Sequence, residues 1–486
     1  MVPSWATLAM WFPRLAAGRA RGILSRLYGT RGHLAARPSQ SRWACGRPRC
    51  RCGEEDSRGT GREWGCGKAM PGVPGPAGPR VFGSDPRAAG EDARRHWELW
   101  GWSGVTARER VRAAFDCRIP DRVPIYQAGF SATVASQILG RPAYVGGGHA
   151  QYLEACALWE GPDAHEEYLT RCWRDAVDLC RALELDVVRT TYWRMPERPT
   201  RRIDEHTFAY GDETRGPWRI MRHDPASELY QVVARSPEPE ATIDGLEPVV
   251  EGAEAHAEAY RPGPETFDAV LRAQAEFGDD GVPYGGIPVG LGIPREPVWL
   301  EATALRPDLV GRYLATQAII AERNVALGAA LGLTYAYGGG DFCSPRGPMY
   351  SPRAFHELVL PQLERVSRAC DAAGALHGFA SDGNLWPVAD DLFGQSGVRF
   401  FYEVDCLAGM DLTRLRTTFP HLALLGGINS ATLHQGTVEQ VIGETRRALR
   451  AAREHGGCVI GCSNQIVAGT PMANFWAMME TLEAER

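Results

Sequence analysis

Lysine is almost missing from this sequence. Lys+Arg total 53 in 486 residues, and Lys68 is the only lysine. Any folded region that excludes Lys68 therefore has no Schiff-base lysine, no pyridoxal-phosphate anchor and no phosphate-loop lysine. Long apolar runs are missing as well. No stretch approaches the roughly 18 uninterrupted apolar residues that a membrane-spanning helix needs, so no membrane association is expected. Acidic side chains are absent from residues 1–53. Patterned cysteine is also lacking, because the 13 cysteines form an odd, scattered set. That usage reads as reduced thiols in a cytoplasmic setting. The head cysteines Cys45, Cys50, Cys52 and Cys66 do not have zinc-ribbon or finger spacing.

What is present divides into two materials. The formal charge is -6, yet residues 1–100 hold 17 basic and 8 acidic side chains, leaving 36 basic and 51 acidic in the rest. A net of about -15 there argues against nucleic acid as a partner, since phosphate-backbone binding rests on clustered cations. Residues 1–103 read as a disordered Arg/Gly/Pro-rich extension, with a Pro/Gly-rich linker at 71–90. Two origins fit it. One is an amphipathic targeting peptide; the other, preferred on composition, is a non-functional extension from a mis-assigned start.

From residue 104 to 486 the pattern alternates between short strand-like runs and longer helical ones. Candidate strands are 123–127, 186–191, 282–289, 334–338, 375–380, 399–403, 422–426 and 458–462. Helical periodicity marks 166–183, 309–331, 352–373, 385–395 and 438–454. Eight strands alternating with helices predict an α/β fold, a (β/α)8 TIM barrel. Runs at 207–210, 218–222 and 229–234 predict a small antiparallel insertion between strands two and three.

In such a barrel the reactive groups sit at the carboxyl ends of the strands. Asp341 follows strand four beyond three glycines, suited to contact a ligand or to act as acid or base; fixing the loop is the plain alternative. After strand five come His377, Ser381, Asp382 and Asn384. A hydrogen-bonded core histidine and a helix-capping aspartate are their structural readings. Glu403 and Asp405 lie two apart after strand six, so extended backbone would turn them to one side. Strand eight offers Cys462, Ser463 and Asn464, where the thiol reads either as a metal ligand or as inert and buried. Arg189, Tyr192 and Trp193 follow strand two and are candidates for a substrate's anionic or aromatic part, against ordinary rim packing.

Taken in order, RERVRAAFDCRIPDRVPI, GPMYSPRAFHELVLPQL, SDGNLWPVADDL, the GGINS-containing stretch and GCSNQIVAGTPMANFWAMMETL resemble the uroporphyrinogen decarboxylase superfamily. That superfamily includes cobalamin-dependent methyltransferases. The resemblance spans essentially residues 104–486 and implies a (β/α)8 barrel with its active site at the carboxyl ends. Uroporphyrinogen decarboxylases carry an R-Q-A-G-R motif after the first strand. This chain keeps Gln127-Ala128-Gly129, a substrate contact by that resemblance, but has Tyr126 and Phe130 in place of the arginines. An octa-anionic porphyrinogen would be poorly held without them.

The methyltransferase branch binds zinc through His-x-Cys after strand five and Cys after strand eight. Cys462 matches the last ligand. Aligning Asp382-Gly383-Asn384 with the family's Cys-Gly-Asn puts Ala380 at the histidine position and Asp382 at the first cysteine. His377 substitutes only if the strand is bulged. The implied metal set is His377, Asp382 and Cys462, with zinc as the metal.

The leading expectation is therefore methyl transfer between a corrinoid or small methylated molecule and an acceptor. Asp341, Asp382 and Asp405 would be catalytic, and Gln127, Arg189, Tyr192, Trp193, Asn384 and Asn464 would bind substrate. No D-x-H-x-x-G corrinoid motif is present, so a corrinoid would come from a partner protein. The alternatives are decarboxylation of a carboxylated tetrapyrrole or smaller substrate, and a non-catalytic barrel that binds a tetrapyrrole or corrinoid protein. The oligomeric state stays open, a homodimer included.

Overall fold

In the computed structural model, residues 104–486 are described apart from 213 and 238–240. The predicted extension, with Lys68 and the head cysteines, lies outside the described residues. The strands in chain order are β1 Ile125–Phe130, β2 Val187–Val188, β3 Arg201–Arg202, β4 Thr207–Gly211, β5 Trp218–Asp224, β6 Leu229–Arg235, β7 Val282–Pro283 and β8 Ile287–Pro288. They continue with β9 Tyr335–Gly339, β10 Cys343–Ser344, β11 Gly347–Pro348, β12 Leu376–Ala380, β13 Phe400–Val404, β14 Ala423–Ile428 and β15 Cys458–Ile466.

Nine strands form one parallel sheet in the order β7-β2-β1-β15-β14-β13-β12-β9-β8. Its two end strands are the two halves of the single strand predicted at 282–289, so the sheet curls until its edges meet in one chain segment. Tyr284-Gly285-Gly286 interrupts that strand. Gly285 has φ 124, and a side chain on Gly286 would collide with the Tyr335 carbonyl. The interruption leaves Tyr284 inside the barrel, against Tyr126 and Tyr337 with ring centroids 5.9 and 5.6 Å away.

Both faces of the sheet are buried, and they hold different clusters. Inside the barrel lie Tyr126, Ala128, Val187, Val282, Ala380, Phe400, Tyr402, Leu425 and Val459. The alternate residues, among them Ile125, Phe379, Phe401, Leu424, Ile460 and Cys462, join the layer between sheet and helices. The helix Ala107–Phe115 starts at a Thr106–Glu109 capping box and closes the lower end of the barrel. Its Phe115 ring sits 4.9 Å from Phe400 and 4.8 Å from Tyr335.

Gly378 faces this interior. A methyl group there would run into the Phe400 ring, which is fully buried. Gly378→Ala is expected to destabilise the fold by about 1–3 kcal/mol through overpacking, read as a lower midpoint in urea unfolding.

The insertion is antiparallel, as expected, and lies between the second and third barrel strands. It has four strands, β3-β4-β5-β6, the first being a two-residue strand too short to show in the sequence. It packs on the helix Gly148–Glu160 through Tyr152, Phe208, Tyr210, Met221 and Tyr230. The predicted helix at 352–373 begins as anticipated, with Ser351 capping the Ala354 N–H at 3.1 Å, but contains a π-turn at Phe355–Val359. The predicted helix at 385–395 is instead a 3-10 turn followed by a π-turn.

Candidate functional site

Four carboxyl groups gather at the ends of three neighbouring strands. Asp341 follows β9, Asp382 follows β12, and Glu403 and Asp405 end β13. The Asp382 N–H donates to Asp341 Oδ1 at 3.2 Å, and Arg295 approaches the other Asp341 oxygen at 3.5 Å. Asn464 Nδ2 donates to Asp382 Oδ2 at 3.0 Å, which ties the end of β15 into the cluster. Asp405 accepts from the N–H groups of Gly383 (3.3 Å) and Ala408 (3.2 Å) and from Asn429 Nδ2 (3.3 Å). It therefore holds three loops together and caps the Cys406–Ala408 turn.

Glu403 is placed differently from the sequence expectation. Extended backbone would set it beside Asp405. Instead the pairing of β13 with β14 shifts register between Tyr402 and Val404, and Glu403 has φ 67. A non-glycine residue in this left-handed region stores strain of about 1–3 kcal/mol, a feature concentrated at functional sites. The side chain is half-buried and faces the buried hydroxyl of Tyr284.

Like charges in a partly dry pocket hold on to protons. Burial first, then the charges of Asp341 and Asp405, push Asp382 up to about 7; the Asn464 donor opposes them. Burial, then Asp382 and Asp341, push Glu403 up to about 8, with Arg189 and Tyr284 pulling the other way. Both carboxyls ionise less readily in the fold than in the unfolded chain. The stability they allow is full below about pH 4 and falls as pH rises through 7 to 8. Thermal melts from pH 5 to 9 should show this decline. The Asp382→Asn/Glu403→Gln double variant should flatten it and gain on the order of 1 kcal/mol at pH 9.

Facing the acids is the loop after β2. Arg189 is half-buried, with its guanidinium carbon 4.6 Å from the Trp193 ring, 5.2 Å from Tyr192 and 5.3 Å from Tyr284. Its Nε donates to the Thr191 carbonyl at 3.1 Å and its Nη1 to the Ala128 carbonyl. The loop is anchored by Glu154, fully buried, which accepts from the Met195 N–H at 2.8 Å and from Arg194. Trp193 also packs on Gly147 beside Gln465. Asn384 points into its own turn, accepting the Trp386 N–H at 3.1 Å.

Three expected site residues lie elsewhere. The strand β12 pairs regularly on both sides, without the bulge needed to turn His377 inward. His377 is 1% exposed and bonds Ser367 on the surrounding helix at 2.7 Å. Burial alone pushes it down to about 4, so it is neutral. Cys462 is fully buried in the layer outside the barrel, where burial raises its thiol to about 12. Gln127 spans that same layer, accepting from the Cys462 N–H at 3.0 Å and donating to Met479 Sδ at 3.4 Å. The substrate contact expected of Gln127 is thus corrected to a structural tie. The zinc set fails in the same way, because His377 and Cys462 point out of the barrel while Asp382 points into its mouth. Among the described residues no group of three or more His, Cys, Asp or Glu side chains is placed to hold a metal ion.

Sequence reasoning did not single out Arg295, Asn429, Tyr284, Tyr337 or Tyr402 as site residues. Only the glycine pair after Tyr284 carried a local signal. A cavity of about 780 Å³ opens at the opposite end of the barrel, lined by Arg108, Arg112, Arg118 and Tyr335. Its arginines are matched by Asp279 and Asp116, and it lacks the convergent acids of the upper end. The described helices include none long and apolar enough to cross a membrane.

Comparison with known proteins bears on the fold and on residues 346–484. That segment matches the model of the uroporphyrinogen decarboxylase (URO-D) family. A methyltransferase from Methanosarcina mazei shares the fold with a TM-score of 0.52 at 16% identity, over 78% of this chain and 99% of that one. A D-psicose 3-epimerase from Clostridium cellulolyticum H10 overlaps less, with a TM-score of 0.26 at 12% identity, over 49% of this chain and 92% of its own. No curated protein matches the sequence. The protein is thus a (β/α)8 barrel similar to the uroporphyrinogen decarboxylase superfamily, as its motifs implied, with the family's model matching residues 346–484.

Proposed function

We propose that this protein is an enzyme that removes carbon dioxide from a small carboxylated substrate, with Asp382 returning a proton to the carbon. The observation that carries this reading is a protonatable Asp382 among the carboxyls at the barrel mouth, where Arg189 acts on the neighbouring Glu403. A general acid works best when its pKa lies near the working pH, and Asp382 stands at about 7. The substrate's C–C bond breaks with its electron pair left on carbon and carbon dioxide departing. Asp382 then supplies the proton and becomes a carboxylate, to be reprotonated from solvent. The substrate must carry a ring or carbonyl that can delocalise the electron pair.

The substrate is smaller and less charged than uroporphyrinogen. Tyr126 is buried inside the barrel and Phe130 packs on Phe475, 6.0 Å between centroids, so neither position supplies a cation. Burial first, then the charges of Asp341 and Asp405, keep the Asp382 proton in place, and Tyr192 and Trp193 flank the substrate. The residues present do not fit the zinc site of the methyltransferase branch, and no step is routed through a metal.

Methyl transfer is the second reading, favoured by the fold shared with the Methanosarcina methyltransferase. Asp382 would then protonate the leaving heteroatom of a methyl donor, and a corrinoid would arrive on a partner protein. The deciding test incubates the purified chain with pyrrole, furan and hydroxyaryl carboxylates labelled with carbon-13 at the carboxyl. Labelled carbon dioxide, with deuterium taken up from heavy water at the vacated carbon, is expected. No release from any of them, combined with demethylation of an aryl methyl ether in the presence of cob(I)alamin, would replace the first reading by the second.

A further inference from the structure

Resting on the reading of Asp382 as a general acid, we infer that Asn464 is the positioning residue that directs the Asp382 proton to Oδ1, the oxygen open to a substrate. The Asn464 amide fits only one way round. Its Oδ1 lies 2.7 Å from the Gln465 backbone nitrogen, whose N–H needs an acceptor and would be opposed by an NH2 group. Nδ2 is thereby turned to Asp382 Oδ2, 3.0 Å away. An oxygen that accepts from an N–H suits a carbonyl or a carboxylate, so the neutral acid keeps its hydrogen on the other oxygen. Asp382 Oδ1 bonds no described residue and is not sealed from solvent. It is the oxygen from which a proton can leave toward carbon.

The main chain beneath this carboxyl is held on every side. The Asp382 N–H donates to Asp341 at 3.2 Å, its carbonyl accepts from Ser381 Oγ at 3.0 Å, and the Gly383 N–H is bound by Asp405 at 3.3 Å. Gly383 has φ 93, and a side chain there would lie 2.8 Å from the Cys343 carbonyl. Among the described residues, Asn464 then makes the one hydrogen bond that fixes the carboxyl itself. A bulge delivers it. Between the pairs Gln127–Cys462 and Gly129–Gln465, β15 advances three residues against two in β1, which re-aims the side chains that follow Cys462. Removing the amide takes away a donor that favours the ionised form, while burial, Asp341, Asp405 and the nearby Glu403 still favour the proton. Asp382 should then stay protonated to higher pH.

The test uses the full chain without substrate. Infrared difference spectra between about pH 5 and pH 9 isolate the carbonyl stretch of neutral Asp382 as the band missing from Asp382→Asn. In Asn464→Leu this band should move to higher frequency, because its carbonyl oxygen has lost a donor, and its titration midpoint should rise by about half to one pH unit. Gln465→Leu keeps the backbone N–H that orients the amide, so band and midpoint should stay. Matching circular dichroism and melting temperatures check the folding of each variant. For the first carboxylate found to release carbon dioxide, Asn464→Leu should lower kcat about tenfold or more with KM within about threefold of the wild type. Asn464→Asp keeps the size but sets an acceptor opposite Oδ2, which draws the proton there, so its kcat should be at least as low. A band and midpoint left in place by Asn464→Leu overturn the inference, as does a raised KM with unchanged kcat, the pattern of a direct substrate contact. The spectra need no turnover. The expected shifts without carbon dioxide release from any labelled acid would sink only the decarboxylase reading, and release with an unmoved band would sink only the role of Asn464.

Discussion

Asp382→Asn is expected to lower kcat by about 100- to 10,000-fold, the range that a positioned general acid contributes. Asparagine keeps the shape and the Asn464 side of the contact but cannot release a proton. KM should change little, because Arg189 and the aromatic residues beside it are untouched. The wild-type kcat should fall above pH 7, where Asp382 ionises, whereas the residual rate of the variant should be flat over the same range. The measurement is kcat and kcat/KM against pH for the first carboxylate found to release carbon dioxide. A variant that keeps more than a tenth of the wild-type kcat would remove Asp382 from the acid role. The same substitution relieves like-charge repulsion with Asp341 and Asp405, so lost activity with equal or higher melting temperature is the combined signature.

The largest stability effect is expected far below the site, at Asp186. This residue is 2% exposed and accepts from Arg110 Nη1 at 2.7 Å, Arg486 Nη1 at 3.0 Å and the Ile125 N–H at 2.9 Å. It ties the starts of β1 and β2 to the first and last helices of the described chain. Arg110 keeps Asp121 as a second partner, at 2.9 Å, and the Arg486 side chain, 1% exposed, keeps only the exposed Glu483, at 3.1 Å. Asp186→Ala leaves two guanidinium groups buried with too little negative charge and should cost about 3–5 kcal/mol. Urea unfolding would show it as a lower midpoint with little change in slope. Asp186→Asn should lose less, because it still accepts from Ile125. A cost below about 1 kcal/mol for the alanine variant would mean that water enters and solvates the arginines.

The fold was legible in the sequence because barrel strands are short apolar runs separated by amphipathic helices, a pattern that survives without knowledge of contacts. All eight predicted strand positions carry parallel strands, and the insertion falls where expected. The departures are local. The split at Tyr284–Gly286, the π-turns at Phe355–Val359 and Asp390–Gln395, and the bulge at Glu403 each add or drop a residue in a regular element. Composition and periodicity do not register such steps.

Site residues were harder to read, and His377, Cys462 and Gln127 show why. A strand with one solvent face reveals its inside by alternation, whereas a barrel strand is buried on both sides. The residues of β12 and β15 are almost uniformly buried, so the sequence alone did not tell whether an odd or an even position faced the mouth. The sequence by itself determined the barrel, the insertion and the ends at which polar residues collect. It also determined that, outside a head region containing Lys68, any organic cation in the pocket had to be arginine. Tertiary structure decided which of those residues meet. Packing of helices on the outer face took His377, Cys462 and Gln127 away from the mouth, and a one-residue bulge turned Glu403 into it. Burial, and after it charge crowding, then raised Asp382 and Glu403 into the physiological range. Orientation and proton affinity depend on neighbours distant in sequence, brought together only when the sheet closes.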